Sequence, residues 1–210
     1  MNINLLISYF KSDNDYRNYE IETSLVNNID LKFINKIYLF SEYVFDEKYF
    51  ECSNKIKLVK CKNRPTYSDM FRFVRKNRME KDINIISNAD IYFDNSILNS
   101  LNIRYDECYA LTRYDNDILH DRPEVTQDAW MFKNVNSKLI ENSKIRLGIP
   151  GCDNYIAAVF NESGYKVLNP CYDIIINHLH ESNIRTYKEE ERLTEKELFV
   201  EPVYLKYFLL

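Results

Sequence analysis

Glycine is almost missing from this chain. Only Gly148, Gly151 and Gly164 occur in 210 residues, so the first 147 positions hold none. That excludes a P-loop, a G-x-G-x-x-G dinucleotide fingerprint and the glycine-rich first loop of sugar nucleotidyltransferases. Histidine is equally scarce, with three copies. The five cysteines (Cys52, Cys61, Cys108, Cys152 and Cys171) are scattered and form no C-x-x-C pair. Neither a zinc finger nor a disulfide framework is expected, and reduced thiols in a cytoplasm are the simplest reading. No apolar run approaches the length of a membrane span. The first fifteen residues, MNINLLISYFKSDND, lack the basic start and longer apolar stretch of a signal peptide. A formal net charge of −4 gives no basic excess for bulk nucleic-acid or anionic-membrane binding.

What is present is a chain long enough for one domain with a sizeable core, rich in Tyr (17) and Phe (12). Residues 2–10 read as a buried strand ending in Ser8, Tyr9 and Phe10. Ile21, Leu25 and Ile29 predict a helix over residues 15–29. Strands follow at 36–40 and 56–61. Thr66 with Asp69 resembles a capping box opening a helix over Met70, Phe71 and Val74. Further strands are expected at 83–86, 109–114, 128–132, 165–169 and 173–180. A helix follows the turn at 148–154, with Asp153 to cap or start it and Gly164 to end it. Strand–helix alternation up to Asp90 implies a parallel α/β sheet with helices on both faces, mixed in its second half. The charged tail after Glu181 reads as a solvated helix with a docked end.

Four segments carry chemistry. In Asn88-Ala89-Asp90, two side chains two apart on an extended strand end point the same way and aim two oxygens at one hard cation. An ordinary Asx turn fits the segment equally. In His178-Leu179-His180, both imidazoles follow Ile174 and Ile176 on one face, as metal ligands or as satisfied histidines ending a strand. After two glycines, Asp153 offers a carboxylate as general base, or simply a helix cap. Asp128 stands beside the only tryptophan, Trp130, a pairing that suits sugar binding but is also common in cores.

These segments together resemble a family of GT-A-fold nucleotide-diphospho-sugar glycosyltransferases of bacteria and large DNA viruses. The resemblance is carried by RPTYSDMF (64–71), SNADIYFD (87–94), ALTRYD (110–115), QDAWMF (127–132), GIPGCDN (148–154), GYKVLNP (164–170) and HLHESNIRTY (178–187). It implies one domain over 1–210: a nucleotide-binding half (1–95), an acceptor and metal half (96–190) and a C-terminal tail (191–210). It implies an α/β GT-A fold with a mixed, mostly parallel sheet. Ser8, Tyr9 and Phe10 are then expected to bind the nucleotide, and Arg64, Tyr67 and Asp69 its base and ribose. Asn88, Ala89, Arg113, Trp130, Asn154 and Arg185 complete the donor-binding set.

The family's D-x-D metal motif maps onto Asn88-Ala89-Asp90, with Asn in place of the first Asp. Asp90 is the expected ligand, joined by His180 in preference to His178. A mixed oxygen and imidazole set favours Mn2+ over Mg2+. The expected activity is hexosyl transfer, inverting, from a UDP-sugar first of all to a glycan hydroxyl. Asp153 is the expected base and Asp128 the second candidate. Two rivals are a metal-dependent phosphohydrolase using Asp90, Asp94 and His180, and a sugar-binding module without catalysis.

Overall fold

In a computed structural model of the protein, residues 1–43, 45, 53–182, 184 and 189–205 are described. Cys52 and Arg185 lie outside them. The chain opens with β1 (Ile3–Ser8), α1 (Asp15–Asp30), β2 (Ile34–Ser41), β3 (Ile56–Lys60), α2 (Tyr67–Lys76) and β4 (Ile83–Ser87). It continues with β5 (Ile91–Phe93), a 3-10 helix over Asn95–Asn102, β6 (Glu107–Asp115), β7 (Ile118–Leu119) and β8 (Gln127–Phe132). Last come α3 (Ser137–Asn142), α4 (Cys152–Glu162), β9 (Lys166–Leu168) and β10 (Ile176–His178).

One ten-stranded sheet runs β3-β2-β1-β4-β8-β6-β10-β5, with β7 and β9 paired to β6. β3, β2, β1 and β4 are parallel, and β8 turns antiparallel between β4 and β6. β1 and β4 are apolar along most of their length because both faces of the sheet are covered. Leu5 and Ile7 of β1 and Ile85 of β4 face the core under α1, with Ile21 and Leu25 of that helix. Leu6 and Ile86 face the other core, under α2 and α4. There Tyr67 stacks edge-on against Trp130, and Phe71, Phe132, Phe160 and Tyr165 continue the aromatic chain. Such pairs add about 0.5–1.5 kcal/mol each beyond the area they bury.

The capping box is present. Thr66 Oγ1 accepts from the Asp69 backbone N–H at 3.2 Å, and Asp69 Oδ2 accepts from the Thr66 N–H at 2.9 Å. Two expectations are corrected. Asp153 does not cap α4: the N-cap is Gly151, at φ +79°, and Asp153 sits one step further into the first turn. Among the described residues the tail forms no long helix. After a single 3-10 turn at Glu189–Glu191 it runs extended over α4, with Leu193 N–H donating to Pro150 O and Leu198 N–H to Asn154 O. Val200 is buried in the α2–α4 core, while most of the apolar end expected to dock, 204–210, lies outside the described residues. A Cβ at Gly151 would meet Leu193 O at 2.5 Å, so the tail's path requires glycine there. Among the described residues no helix is long and apolar enough to cross a membrane.

Candidate active site

β1, β2 and β3 build outward, and the chain then returns to place β4 on the other side of β1. In an open parallel sheet this reversal leaves a crevice beyond the carboxyl ends of the two strands, where ligands bind. A cleft of about 500 Å³ lies there, reached by Ser8 after β1 and by Asn88, Ala89 and Asp90 after β4. β6 and β8 add Arg113, Asp115 and Asp128; the 147–153 turn adds Gly148 and Asp153; β10 and its extension add His178 and His180. A neighbouring hollow of about 520 Å³ is lined by Ser8, Tyr9, Phe10, Tyr43 and Arg64.

Asp90 is the centre of the cleft's charge. It is 5% exposed. Its Oδ2 lies 3.3 Å from His178 Nε2 and 3.4 Å from His180 Nδ1. Both histidines therefore converge on Asp90. The three residues can offer donor atoms within 4.8 Å of one another, as a metal ion requires. Asp90 Oδ1 and His180 Nε2 are buried without a hydrogen-bond partner, the condition expected of groups waiting for a cation or a ligand. One oxygen and two imidazoles suit a borderline divalent ion better than Mg2+.

Asn88 is not part of this group. The chain turns at 88–90 instead of staying extended. Asn88 Nδ2 donates to Asp128 Oδ1 at 2.6 Å, and its backbone N–H donates to Asp128 O. The Asn88 amide nitrogen is thus spent on Asp128, and Asp90 is the carboxylate that meets the two histidines. Asp128 is fully engaged, because its Oδ2 accepts from Arg113 Nη1 at 3.0 Å.

The titration pattern follows from these contacts. Burial alone would raise Asp90, but hydrogen bonds from His178 and His180 and the Arg17 charge hold it well below the carboxylate range. Burial alone would lower His178, yet its contacts with Asp115 and Asp90 lift it to about 9. Asp115 falls to about 2, chiefly through the His178 hydrogen bond. Asp153 goes the other way. Burial, and then the negative charge of Asp128, push it up to about 8. Desolvation beside a second carboxylate outweighs the helix dipole at this position.

Several expected residues lie elsewhere. Tyr67 and Trp130 are fully buried, and their faces are spent on each other in the core. Asp69 is occupied by the α2 cap, and Asn154 hides its Oδ1 in the protein. Arg64 reaches both hollows, but its Nη2 donates to Leu147 O at 2.7 Å. Gly148 is at φ +71° under that guanidinium, where a Cβ would come within 2.9 Å.

The sequence reading missed Arg17, Glu20 and Asp115. Arg17 bridges Glu20 and Asp90, at 2.8 and 2.5 Å. Glu20 accepts from Ser182 N–H at 2.6 Å and from Ser182 Oγ at 2.8 Å, just beyond His180. The signal was spacing: Arg17, Glu20, Ser24 and Asn28 continue the buried stripe of Ile21 and Leu25.

No family model and no curated protein sequence matches the chain. Solved structures do. The mannosyltransferase PcManGT from Pyrobaculum calidifontis, in complex with GDP-Man and Mn2+, superposes with a TM-score of 0.58 at 13% identity over 87% of this chain and 58% of its own. TarS 1-349 of S. aureus with UDP-GlcNAc gives 0.55 at 10% identity, over 89% and 62%. The inositol-1-phosphate CTP transferase from T. maritima gives 0.55 at 10% identity, over 89% and 92%. This chain spans about three-fifths of the two glycosyltransferases it resembles. The shared fold is GT-A-like, and the solved proteins that share it are glycosyltransferases and nucleotidyltransferases.

Proposed function

We propose that the protein is a glycosyltransferase that moves a sugar from a nucleotide-diphosphate donor to an acceptor hydroxyl, with Asp90, His178 and His180 holding a divalent cation. The observation that carries this reading is the convergence of those three side chains in the crevice between β1 and β4. A nucleotide sugar needs such a group there, because its leaving diphosphate gains negative charge as the sugar–phosphate bond breaks. A bound cation supplies that charge stabilisation as a Lewis acid. Mn2+ is the favoured ion, and its presence in the P. calidifontis complex supports the choice.

The chain's own residues do the rest. Ser8, Tyr9 and Phe10 line the hollow assigned to the nucleotide. Arg113 is held by Asp128 and Asp115 at the cleft, a charge suited to meeting the donor's phosphates. Asp153 accepts the acceptor's proton as the new bond to the sugar carbon forms. A carboxylate raised to about 8 is a far stronger base than an ordinary one. Asp128 is less suited to that task, since both of its oxygens are taken.

The nucleotidyltransferases that share the fold are a second source of analogy. The missing glycine-rich loop argues against their chemistry here. The phosphohydrolase reading loses Asp94, whose carboxylate caps the 3-10 helix at Asn95 by accepting from Ser96 N–H.

A thermal-shift screen of UDP- and GDP-sugars, with and without Mn2+, tests the assignment. One donor class should raise Tm only with Mn2+ present, and Asp90→Ala should abolish that increment. At a hundred times Kd the stabilisation should reach about 2.7 kcal/mol. An undiminished Mn2+-dependent shift in Asp90→Ala would sink the metal assignment.

A further inference from the structure

Arg17 is 6% exposed, lines the same cleft as the histidines, and already places a positive charge where a metal is wanted. Its Nη2 lies 2.5 Å from Asp90 Oδ2, the same oxygen that both imidazoles approach. Its other arm is anchored to Glu20, and Glu20 is itself saturated by Ser182. Its Nε is buried and has no partner.

We propose that Arg17 is a built-in competitor for the cation: it neutralises Asp90 while no metal is bound, and a divalent ion must displace it from Oδ2. The inference rests on the metal reading of Asp90, His178 and His180. Its physical basis is that two cations cannot share one carboxylate oxygen in a buried setting without strong repulsion. The arrangement also avoids an unpaired buried carboxylate in the metal-free protein, which would be costly. Once displaced, the Nη2 arm stays tethered through Glu20 beside the cleft. Together with Nε it then has donors to satisfy, and the oxygens of a donor's diphosphate are acceptors of the right charge. Metal and diphosphate therefore favour each other's binding, and the metal alone binds weakly.

The alternative role for Arg17 is to orient Asp90 so that Oδ1 meets the metal. The two roles differ in sign. An orienting or purely structural arginine, when removed, loosens metal binding; a competitor, when removed, tightens it.

Calorimetric titration of Mn2+ alone into wild type, Arg17→Met and Asp90→Asn separates these cases. The expected result is at least about tenfold tighter Mn2+ binding in Arg17→Met and none in Asp90→Asn. Equal or weaker binding in Arg17→Met, with Asp90→Asn still inactive as a binder, overturns the competitor role and leaves the metal site standing. No Mn2+ binding at millimolar concentration in either wild type or Arg17→Met overturns the metal reading itself, and this inference with it. If Arg17→Met fails to fold because Glu20 is left uncompensated, Arg17→Met with Glu20→Gln removes both charges and gives the same readout.

Discussion

Asp153 meets two demands that pull against each other. A catalytic base must be deprotonated when substrate arrives, yet a strong base is one that holds its proton well. Burial beside Asp128 sets it at about 8, up from an ordinary 3.8. The folded protein therefore binds this proton more tightly than the unfolded chain does. That contribution to stability is complete below about pH 4 and is lost as pH rises through about 8. Asp153→Asn removes the loss. Its Tm should exceed that of wild type at pH 8, and the gain should vanish toward pH 4. Turnover of wild type should climb with pH up to about 8, and Asp153→Asn should be about a hundredfold slower at pH 8, with the gap closing as pH falls. A wild-type rate that is flat between pH 6 and 9 would contradict the role.

Among the elements, α1 does the most for the site. Asn28, fully buried, donates from Nδ2 to Ile91 O at 2.9 Å and accepts from the Phe93 N–H at 3.0 Å. It thus fixes β5, the strand that leaves Asp90. Asn28→Ala would leave a buried carbonyl and a buried N–H unpaired. The expected cost is about 2–4 kcal/mol, measurable by urea unfolding. A loss below about 0.5 kcal/mol would show that the pairing is not structural.

The same helix shows what was legible beforehand and why. Ile21 and Leu25 announce a helix because apolar spacing is a local property. Arg17, Glu20 and Asn28 did not stand out, since their partners Asp90, Ser182 and Ile91 are distant in sequence. The capping box at Thr66 and the strands ending at Ser8 and Ser87 were readable for the opposite reason, being complete within a few residues. The residue pattern and the resemblance together pointed to Asp90 and the histidines. They did not reveal that Asn88 turns to Asp128 or that Trp130 sits in the core, because both depend on how β4 and β8 pair. Nothing local in the tail sequence signalled that it would lie flat across α4.

At the scale of the whole molecule, the tail closes the structure. Asn169 Nδ2 donates to Val200 O at 3.0 Å, and the Val203 N–H donates to Asn169 O. Leu193 and Leu198 pack on the core that Val200 enters. A chain ended after Glu191 should lose about 3 kcal/mol, the worth of one to two buried aliphatic side chains. Differential scanning calorimetry should record a Tm lower by roughly 6–12 °C. An unchanged Tm would mean that the strap carries no stability.

The convergence of Asp90, His178 and His180 has a further consequence, for biosynthesis. Synthesis delivers Arg17 and Asp90 well before the two imidazoles, His178 and His180. Until then the nascent chain offers one carboxylate, with an arginine of opposite charge in the same half, and cannot assemble the full donor set. Loading of the proposed metal site is thereby deferred until His178 and His180 have been made.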